Sequence, residues 1–323
     1  MRVLVTGGAG FIGSCLVDQL LASGHEVAVL DDLSSGSREN LPADVPFYEA
    51  DVRDADAVRG VFEKVRPDAV SHQAAQMSVS RSVREPRFDA EVNVLGLIHA
   101  LDAAVAQNVE RFVFASSGGV IYGEVSGPVQ EDAPGNPISP YGIAKWVGER
   151  YLQFYSREHN LRCTALRYAN VYGPRQNPHG EAGVVAIFCT KMFQGEAATI
   201  NGDGRYIRDY VEVSDVARAN VLALEASELP PFAAFNVGTS VPTDVNQLAE
   251  ALRDACQAEL ARRGSRTTVP ACGYGPPRAG DLRTNLVSYD SIRRVLGWAP
   301  TVSLANGLPK TAEWFATKLL RSS

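Results

Sequence analysis

Tyr141 and Lys145 stand four residues apart in the segment Ser139-Pro140-Tyr141-Gly142-Ile143-Ala144-Lys145. On a helix that spacing puts both side chains on one face, one turn apart. A phenol beside an ammonium is a candidate base, because the neighbouring positive charge favours the phenolate and lowers a tyrosine pKa from its ordinary value of about 10. Ser116 and Ser117 close an apolar, strand-like run upstream and could bring a hydroxyl to the same place. A tyrosine and lysine at this spacing occur by chance in many proteins, so the surrounding sequence must supply the specificity.

It does so at the start of the chain. Thr6-Gly7-Gly8-Ala9-Gly10-Phe11-Ile12-Gly13 lies between an apolar run at 3–5 and a stretch where Ile12, Leu16 and Leu20 recur every four residues. Glycines in such a place permit a tight turn, let backbone N–H groups approach a pyrophosphate, and let the helix pack closely on the strand. The helix N-terminus adds partial positive charge for the phosphates. Asp31 follows Gly13 by 18 residues, near the spacing at which an acidic side chain binds a ribose 2′-hydroxyl. Asp32 doubles the negative charge and should repel a 2′-phosphate, which favours NAD over NADP.

These residues need a scaffold, and the pattern predicts one. Strand-like runs at 3–5, 27–30, 47–50, 69–72, 112–115 and 163–167 alternate with helical patterns at 11–23, 55–65, 89–107 and 141–159. Strands alternating with helices of this length imply βαβ units and a parallel sheet covered on both faces. The fold class is therefore α/β, a doubly wound Rossmann-type sheet. After Tyr172 the stretch Gly173-Pro174-Arg175-Gln176-Asn177-Pro178-His179-Gly180 is rich in turn residues. Helical patterns at 184–194, 216–226, 245–261 and 304–319 follow among Pro- and Gly-rich loops. The expected division is an NAD-binding domain at 1–167 and a smaller α/β substrate domain at 168–323, with part of about 205–238 returning to the first.

Composition narrows the partners. The 323 residues carry 31 Lys and Arg against 37 Asp and Glu, a net charge of −6. That balance argues against a nucleic-acid strand, which requires a basic face. The five cysteines are odd in number and form no CxxC pair, and the five histidines form no HxH or HExxH pattern. No disulfide framework, zinc site or other metal is indicated. No apolar run approaches 18 residues and no basic-then-apolar leader precedes the first strand, so a cytoplasmic protein without a membrane partner is expected.

The opening Thr6-Gly7-Gly8-Ala9-Gly10-Phe11-Ile12-Gly13 resembles that of the extended short-chain dehydrogenase/reductase superfamily, typically Thr-Gly-x-x-Gly-x-x-Gly. Phe114-Ala115-Ser116-Ser117, Ile121-Tyr122-Gly123, the Tyr141/Lys145 pair and Leu166-Arg167-Tyr168-Ala169-Asn170-Val171-Tyr172-Gly173-Pro174-Arg175 extend the resemblance to nucleotide-sugar 4-epimerases like UDP-glucose 4-epimerase. The resemblance implies that Gly7, Gly10, Phe11, Ile12, Gly13, Asp31 and Asp32 hold NAD. Asp51 and Val52 would hold the adenine. Gln73, Ala74 and Ala75, after His72, would line the cofactor, with Asn93 supporting the site and Tyr168 beside it. Ser117 and Tyr141 would contact the sugar 4-hydroxyl while Lys145 holds the nicotinamide ribose, giving Ser117, Tyr141 and Lys145 as the catalytic set. Asn170, Arg208 and Arg278 would meet the diphosphate, Asp281 the uridine ribose, and Asn285 a position whose bulk gates the C2 substituent. The implied reaction is 4-epimerisation of a UDP-hexose through a 4-keto intermediate, with no net redox.

The register leaves two serines open, because Gly118 and Gly119 precede Val120-Ile121-Tyr122. Ser117 is preferred, with Ser116 the alternative. Ala169 stands where many members carry a large aromatic. Related 4,6-dehydratases place an Asp-Glu pair after the serine or threonine, where this chain has Gly118 and Gly119, which do no acid–base work. A non-catalytic NAD sensor would typically lose the tyrosine. His179-Gly180-Glu181-Ala182-Gly183 resembles bacterial UDP-glucose epimerases, so UDP-glucose and UDP-galactose are the expected substrates. The alternatives are UDP-N-acetylglucosamine and UDP-glucuronate, whose carboxylate would need a donor such as Arg175, Thr190 or Lys191. The family's homodimer pairs helices near 89–107 and 141–159, where Leu95, Ile98, Leu101, Trp146 and Phe154 are apolar.

Overall fold

The computed structural model describes residues 1–178, 183–278 and 281–320. Strands β1 (Arg2–Thr6), β2 (Glu26–Asp31), β3 (Phe47–Glu49), β4 (Ala69–His72), β5 (Arg111–Ser117) and β6 (Arg162–Tyr168) come first. Between and after β1 to β5 lie α1 (Phe11–Ala22), α2 (Ala55–Val65), α3 (Val79–Arg84), α4 (Pro86–Ala90), α5 (Gly96–Ala106), α6 (Gly118–Ile121) and α7 (Pro140–His159). Then follow β7 (Asn170–Tyr172), α8 (Val184–Phe193), β8 (Thr199–Asn201), β9 (Ile207–Glu212), α9 (Val213–Glu225), β10 (Phe232–Val237) and β11 (Pro242–Asp244). The chain ends through α10 (Val245–Arg262), β12 (Gly273–Gly275), α11 (Asp290–Leu296) and α12 (Leu304–Leu319).

Seven strands make one sheet in the order β10-β6-β5-β4-β1-β2-β3, and every pairing in it is parallel. Successive strand residues point to opposite faces. Val3 and Val5 accordingly join a core that includes Leu16 and Leu20 of α1 and Val216 and Leu224 of α9. Leu4 joins the other core, with Phe62 of α2, Leu97 and Leu101 of α5, and Leu152 of α7. Both faces are covered, as near-continuous apolar strands require. Strand order reverses between β1 and β4, so a crevice opens there beyond the carboxyl ends of the strands.

The chain returns to this sheet late. Strand β10 pairs with β6 from Phe232↔Cys163 to Val237↔Tyr168, and α9 packs in the same core as α1. A second unit gathers β7, β9 and β11 in one small sheet and β8 and β12 in another. Its core joins Tyr172 and Tyr210 to Phe188 and Met192 of α8, Leu252 of α10 and Phe315 of α12.

The helix expected over 89–107 is broken. Residues Glu91–Leu95 form a π-helical turn between α4 and α5. Such insertions occur mostly as single turns within helices and often at functional sites. Helix α7 begins as its sequence demands, with Pro140 in the first turn and the Ser139 hydroxyl accepting the Gly142 N–H at 3.1 Å. One turn beyond Lys145, Glu149 lies wholly buried and accepts from Arg167 Nε at 2.9 Å and Nη2 at 2.7 Å, and from Ser116 Oγ at 2.6 Å. Removing one partner of a buried ion pair strands the other charge. Arg167→Met is expected to lower unfolding free energy by about 3–5 kcal/mol, read by chemical denaturation.

Candidate active site

Ser117 ends β5, and the first turn of α7 brings Tyr141 to it, close enough that the Ser117 hydroxyl favours ionisation of the Tyr141 phenol. Lys145 Nζ lies 5.7 Å from the centre of the Tyr141 ring and 4.7 Å from that of Phe114. Ser116 points the other way, into its bond with Glu149. The two adjacent serines thus face different partners, as neighbours on a strand must.

The electrostatics depart from the expectation of a phenol drawn toward neutrality by Lys145. Burial raises the Tyr141 phenol above its ordinary value, Asp89 pushes it the same way, and the Ser117 hydroxyl pulls it down. Burial also lowers Lys145 to about 8, while Asp89 holds it up. Loss of solvation therefore dominates at both groups, and a buried carboxylate acts on each. His72, at the end of β4, sits in the core with its Nδ1 2.9 Å from the Thr6 hydroxyl; burial holds it neutral, down to about 3.

The dinucleotide loop is a close fit of backbone on backbone. Gly7 has φ +68°, and a Cβ there would come 2.5 Å from the Ala74 nitrogen. A Cβ on Gly13 would lie 2.2 Å from the Gly7 carbonyl oxygen. Helix α1 starts at Gly10 with no side-chain cap and no acidic residue in its first turn, so its leading N–H groups remain for an anion. Phe11 and Ile12 open that helix half-buried, and Ala75 follows Ala74 half-buried. Asp31 Oδ2 accepts the Ala9 N–H at 2.9 Å and Oδ1 the Leu33 N–H at 2.8 Å, which ties the end of β2 to the loop. Each carboxylate oxygen retains a lone pair for a ribose hydroxyl. Asp32 Oδ1 accepts from Ser34 N at 3.0 Å and Oγ at 2.6 Å. These features fit a dinucleotide.

Asp51 is held by Arg53, whose Nε lies 2.9 Å from Oδ2, and Val52 packs where Gly96 leaves room. Gln73 Nε2 donates to the Tyr168 hydroxyl at 3.2 Å and to Asn220 Oδ1 at 3.0 Å, so Gln73 and Tyr168 meet under the crevice. Asn93 is 2% exposed and donates to the Gln76 carbonyl and Asp89 Oδ1, both at 2.9 Å.

On the other side, a Cβ on Gly119 would lie 3.6 Å from the Ser117 Oγ and 3.8 Å from the Asn170 Oδ1, so Gly119 sits between these two groups. Asn285 Nδ2 donates to the Gly118 carbonyl at 3.2 Å, and its Oδ1 is buried without a partner. Arg208 Nη2 pairs with Asp281 Oδ1 at 2.6 Å. Arg278 is exposed on the loop just before Asp281 and is not drawn into that pair. The motif residues His179, Gly180, Glu181 and Ala182 lie outside the described residues.

Sequence reasoning passed over Asp89, Gln76, Glu149 and Asn220. Glu149 follows Lys145 by four residues and Asp89 precedes Asn93 by four, so helical spacing was a usable signal for each. Glu124 gave no such signal, yet its carboxylate accepts the Arg283 and Thr284 N–H groups at 2.7 and 2.8 Å and so anchors the segment that carries Asn285.

Comparison with known proteins agrees with this geometry. The profile of the NAD dependent epimerase/dehydratase family matches residues 3–238. The chain belongs to that family. The UDP-glucose 4-epimerase of Mycolicibacterium smegmatis is 46% identical over 324 residues, covering 98% of this chain and 99% of that protein. Two solved structures align at similar depth. A UDP-glucose 4-epimerase with UDP-glucose from Thermotoga maritima has TM-score 0.91 and 48% identity, covering 99% of this chain and all of that one. The UDP-glucose 4-epimerase of Thermus thermophilus in complex with NAD has TM-score 0.89 and 45% identity, covering 98% and 99%. Among the described residues no group of His, Cys, Asp and Glu could hold a metal, and no helix is long and apolar enough to cross a membrane.

A buried Lys145 makes a family member of this kind less stable than it could be. Its pKa is about 8 folded and 10.5 unfolded, so between those values the unfolded chain binds more protons and stability rises with pH. The parent is therefore expected to gain stability relative to Lys145→Met as pH climbs from about 8 to 10.5. Paired denaturation curves across that range measure it; a gap independent of pH would contradict it.

Proposed function

We propose that this chain interconverts UDP-glucose and UDP-galactose by epimerisation at C4, with NAD bound as a cofactor that is not consumed. The observation that carries the reading is the meeting of Ser117 with Tyr141, and of Tyr141 with Lys145 on the same helix face, at the carboxyl edge of β5. That edge opens onto the crevice lined by the glycine loop. NAD, when bound, supplies the reversible two-electron chemistry at the sugar carbon.

The residues supply the rest. Ser117 and Tyr141 can share the sugar 4-hydroxyl, Ser117 orienting its oxygen and Tyr141 exchanging its proton. Burial by itself keeps the phenol protonated, so its use as a base requires positive charge beside it. Lys145 and an oxidised nicotinamide are the two sources the site offers. Gly118 and Gly119 bring no carboxylate to the adjacent ring carbons, which speaks for epimerisation over 4,6-dehydration. The unpartnered Asn285 Oδ1 and the nearby Asn170 offer polar contacts for the sugar, and the Arg208–Asp281 pair and Arg278 for diphosphate and ribose. On this reading residues 1–167, with α9 and β10, serve the cofactor, and the remainder serves the nucleotide sugar.

We also infer a homodimer through α5, α7 and the turn before α5. Leu95, Ile143 and Phe154 are 49%, 48% and 45% exposed, an apolar stripe that a second copy would cover. Leu101 is fully buried in the chain's own core and takes no part, contrary to the expectation. The five free cysteines suit a reducing cytoplasm.

Purified enzyme offered UDP-galactose, UDP-N-acetylgalactosamine and UDP-galacturonate in turn should convert the first fastest; conversion of only the latter two would overturn the substrate assignment. Tyr141→Phe should lose about 10³-fold or more in kcat while still binding NAD, and Ser117→Ala about 10²-fold. Ser116→Ala should lose stability instead of kcat, a contrast that sedimentation-checked dimer preparations can read directly.

A further inference from the structure

The diphosphate end and the sugar end of the site are carried by one segment, 281–288, that lies outside the named strands and helices. Asp281 pairs with Arg208, and Asn285 reaches the Gly118 carbonyl beside Ser117. Such a stretch needs outside partners to keep its height above the catalytic strand. On one side β9 supplies them: the Ile207 N–H donates to the Arg283 carbonyl at 2.9 Å, and the Asn285 N–H to the Ile207 carbonyl at 3.1 Å. On the other side runs the chain that leaves Ser117 through α6, Tyr122 and Gly123. There Glu124 Oε2 accepts the Arg283 N–H at 2.7 Å and Oε1 the Thr284 N–H at 2.8 Å. Further along, the Val129 N–H donates to the Leu286 carbonyl at 3.1 Å, and the Ser288 N–H to the Val129 carbonyl at 2.8 Å.

Two successive main-chain N–H groups bonded to the two oxygens of one carboxylate fix both distance and orientation, and bonds to a charged acceptor are the stronger kind. The Arg283 side chain is no substitute for them. Its fork onto Asp203, at 2.9 and 2.8 Å, is half exposed at both partners, and pairs of that kind contribute little. Asn285 follows Thr284 directly and is 1% exposed, its Nδ2 held by the Gly118 carbonyl and its Oδ1 buried without a partner among the described residues. A buried acceptor is ordinarily hydrogen-bonded, and a sugar hydroxyl beside Ser117 is the donor this place would receive. We propose that Glu124 is a positioning residue of the substrate site. It fixes segment 283–285 over Gly118, so that the Asn285 amide meets the sugar next to Ser117. The proposal rests on the epimerase reading above.

Glu124→Gln tests this with little disturbance of the fold, because Glu124 is exposed and both its bonds go to main chain. The glutamine keeps one acceptor and turns an NH2 group on the other N–H. KM for UDP-galactose should rise about tenfold with a smaller fall in kcat, the pattern of lost substrate positioning away from the reacting atoms. A KM equal to the parent's would overturn the proposal. A double-mutant cycle with Asn285→Ala separates positioning from a general loss of structure. Since Glu124 works through Asn285, the double variant should show the KM of Asn285→Ala alone. Rises in KM that multiply would put the effect of Glu124 elsewhere and also overturn it. Glu124→Asp, which keeps both oxygens one methylene short, should recover part of the loss, and it takes the place of Glu124→Gln in the cycle if that variant does not fold. A parent enzyme that leaves UDP-galactose unchanged would overturn the functional reading. The role of Glu124 is then decided by the Asn285 side-chain amide resonances, assigned by their loss in Asn285→Ala: Glu124→Gln should shift them, and unmoved resonances sink the idea.

Discussion

The active geometry depends on how α7 is fastened to the sheet. One turn past Lys145, the Glu149 carboxylate binds Arg167 from β6 and Ser116 from β5. Arg167 Nη1 continues to the Tyr122 hydroxyl at 2.6 Å, and Tyr122 donates to Asn236 of β10 at 2.7 Å. Five segments therefore share one buried network: α7, β6, β5, the turn at Tyr122 and β10. With every partner satisfied such a network specifies one arrangement; with a member missing it becomes a liability. It fastens the helix by charge one turn beyond Lys145, on the same face that carries Tyr141 and Lys145.

A second constraint comes from the glycine loop. Gly7 and Gly13 are there because backbone from β4 and from the loop itself occupies the space a side chain would need. The loop lies against Ala74, while Asp31 ties it to β2. Strands β1, β2 and β4 thus meet at one point, the place where the strand order reverses. Cofactor cradle and catalytic pair are built on neighbouring strands of one rigid sheet, which is how a hydroxyl, a phenol and a nucleotide can be held in register without a flexible partner.

The buried charge at the centre works against stability. Lys145 is 2% exposed and its pKa is lowered by burial. The rings of Phe114 and Tyr141 lie 4.7 and 5.7 Å from its ammonium. Destabilised ionisable groups of this kind mark functional sites, because a fold selected only for stability would replace them.

Periodicity and motif spacing were enough to read the sheet-forming strands to β6, the helix under Tyr141, the glycine loop with Asp31, and the family resemblance, because each is a local pattern in the chain. Strands β7 to β9, β11 and β12 were not legible: most are three residues long, too short for alternation to register. The return of β10 to the edge beside β6 is a long-range pairing with little local signature. The break at Glu91–Leu95 was hidden because its apolar residues still fit a helical period. The sequence alone determined which side chains could do chemistry and roughly where they lie along the fold. Only the tertiary structure decided that Ser116 turns to Glu149 while Ser117 turns to Tyr141, and that Asp89 lies buried against Gln76 and Asn93. Those outcomes turn on burial and on which strand face meets which helix, and neither is a property of neighbours in sequence.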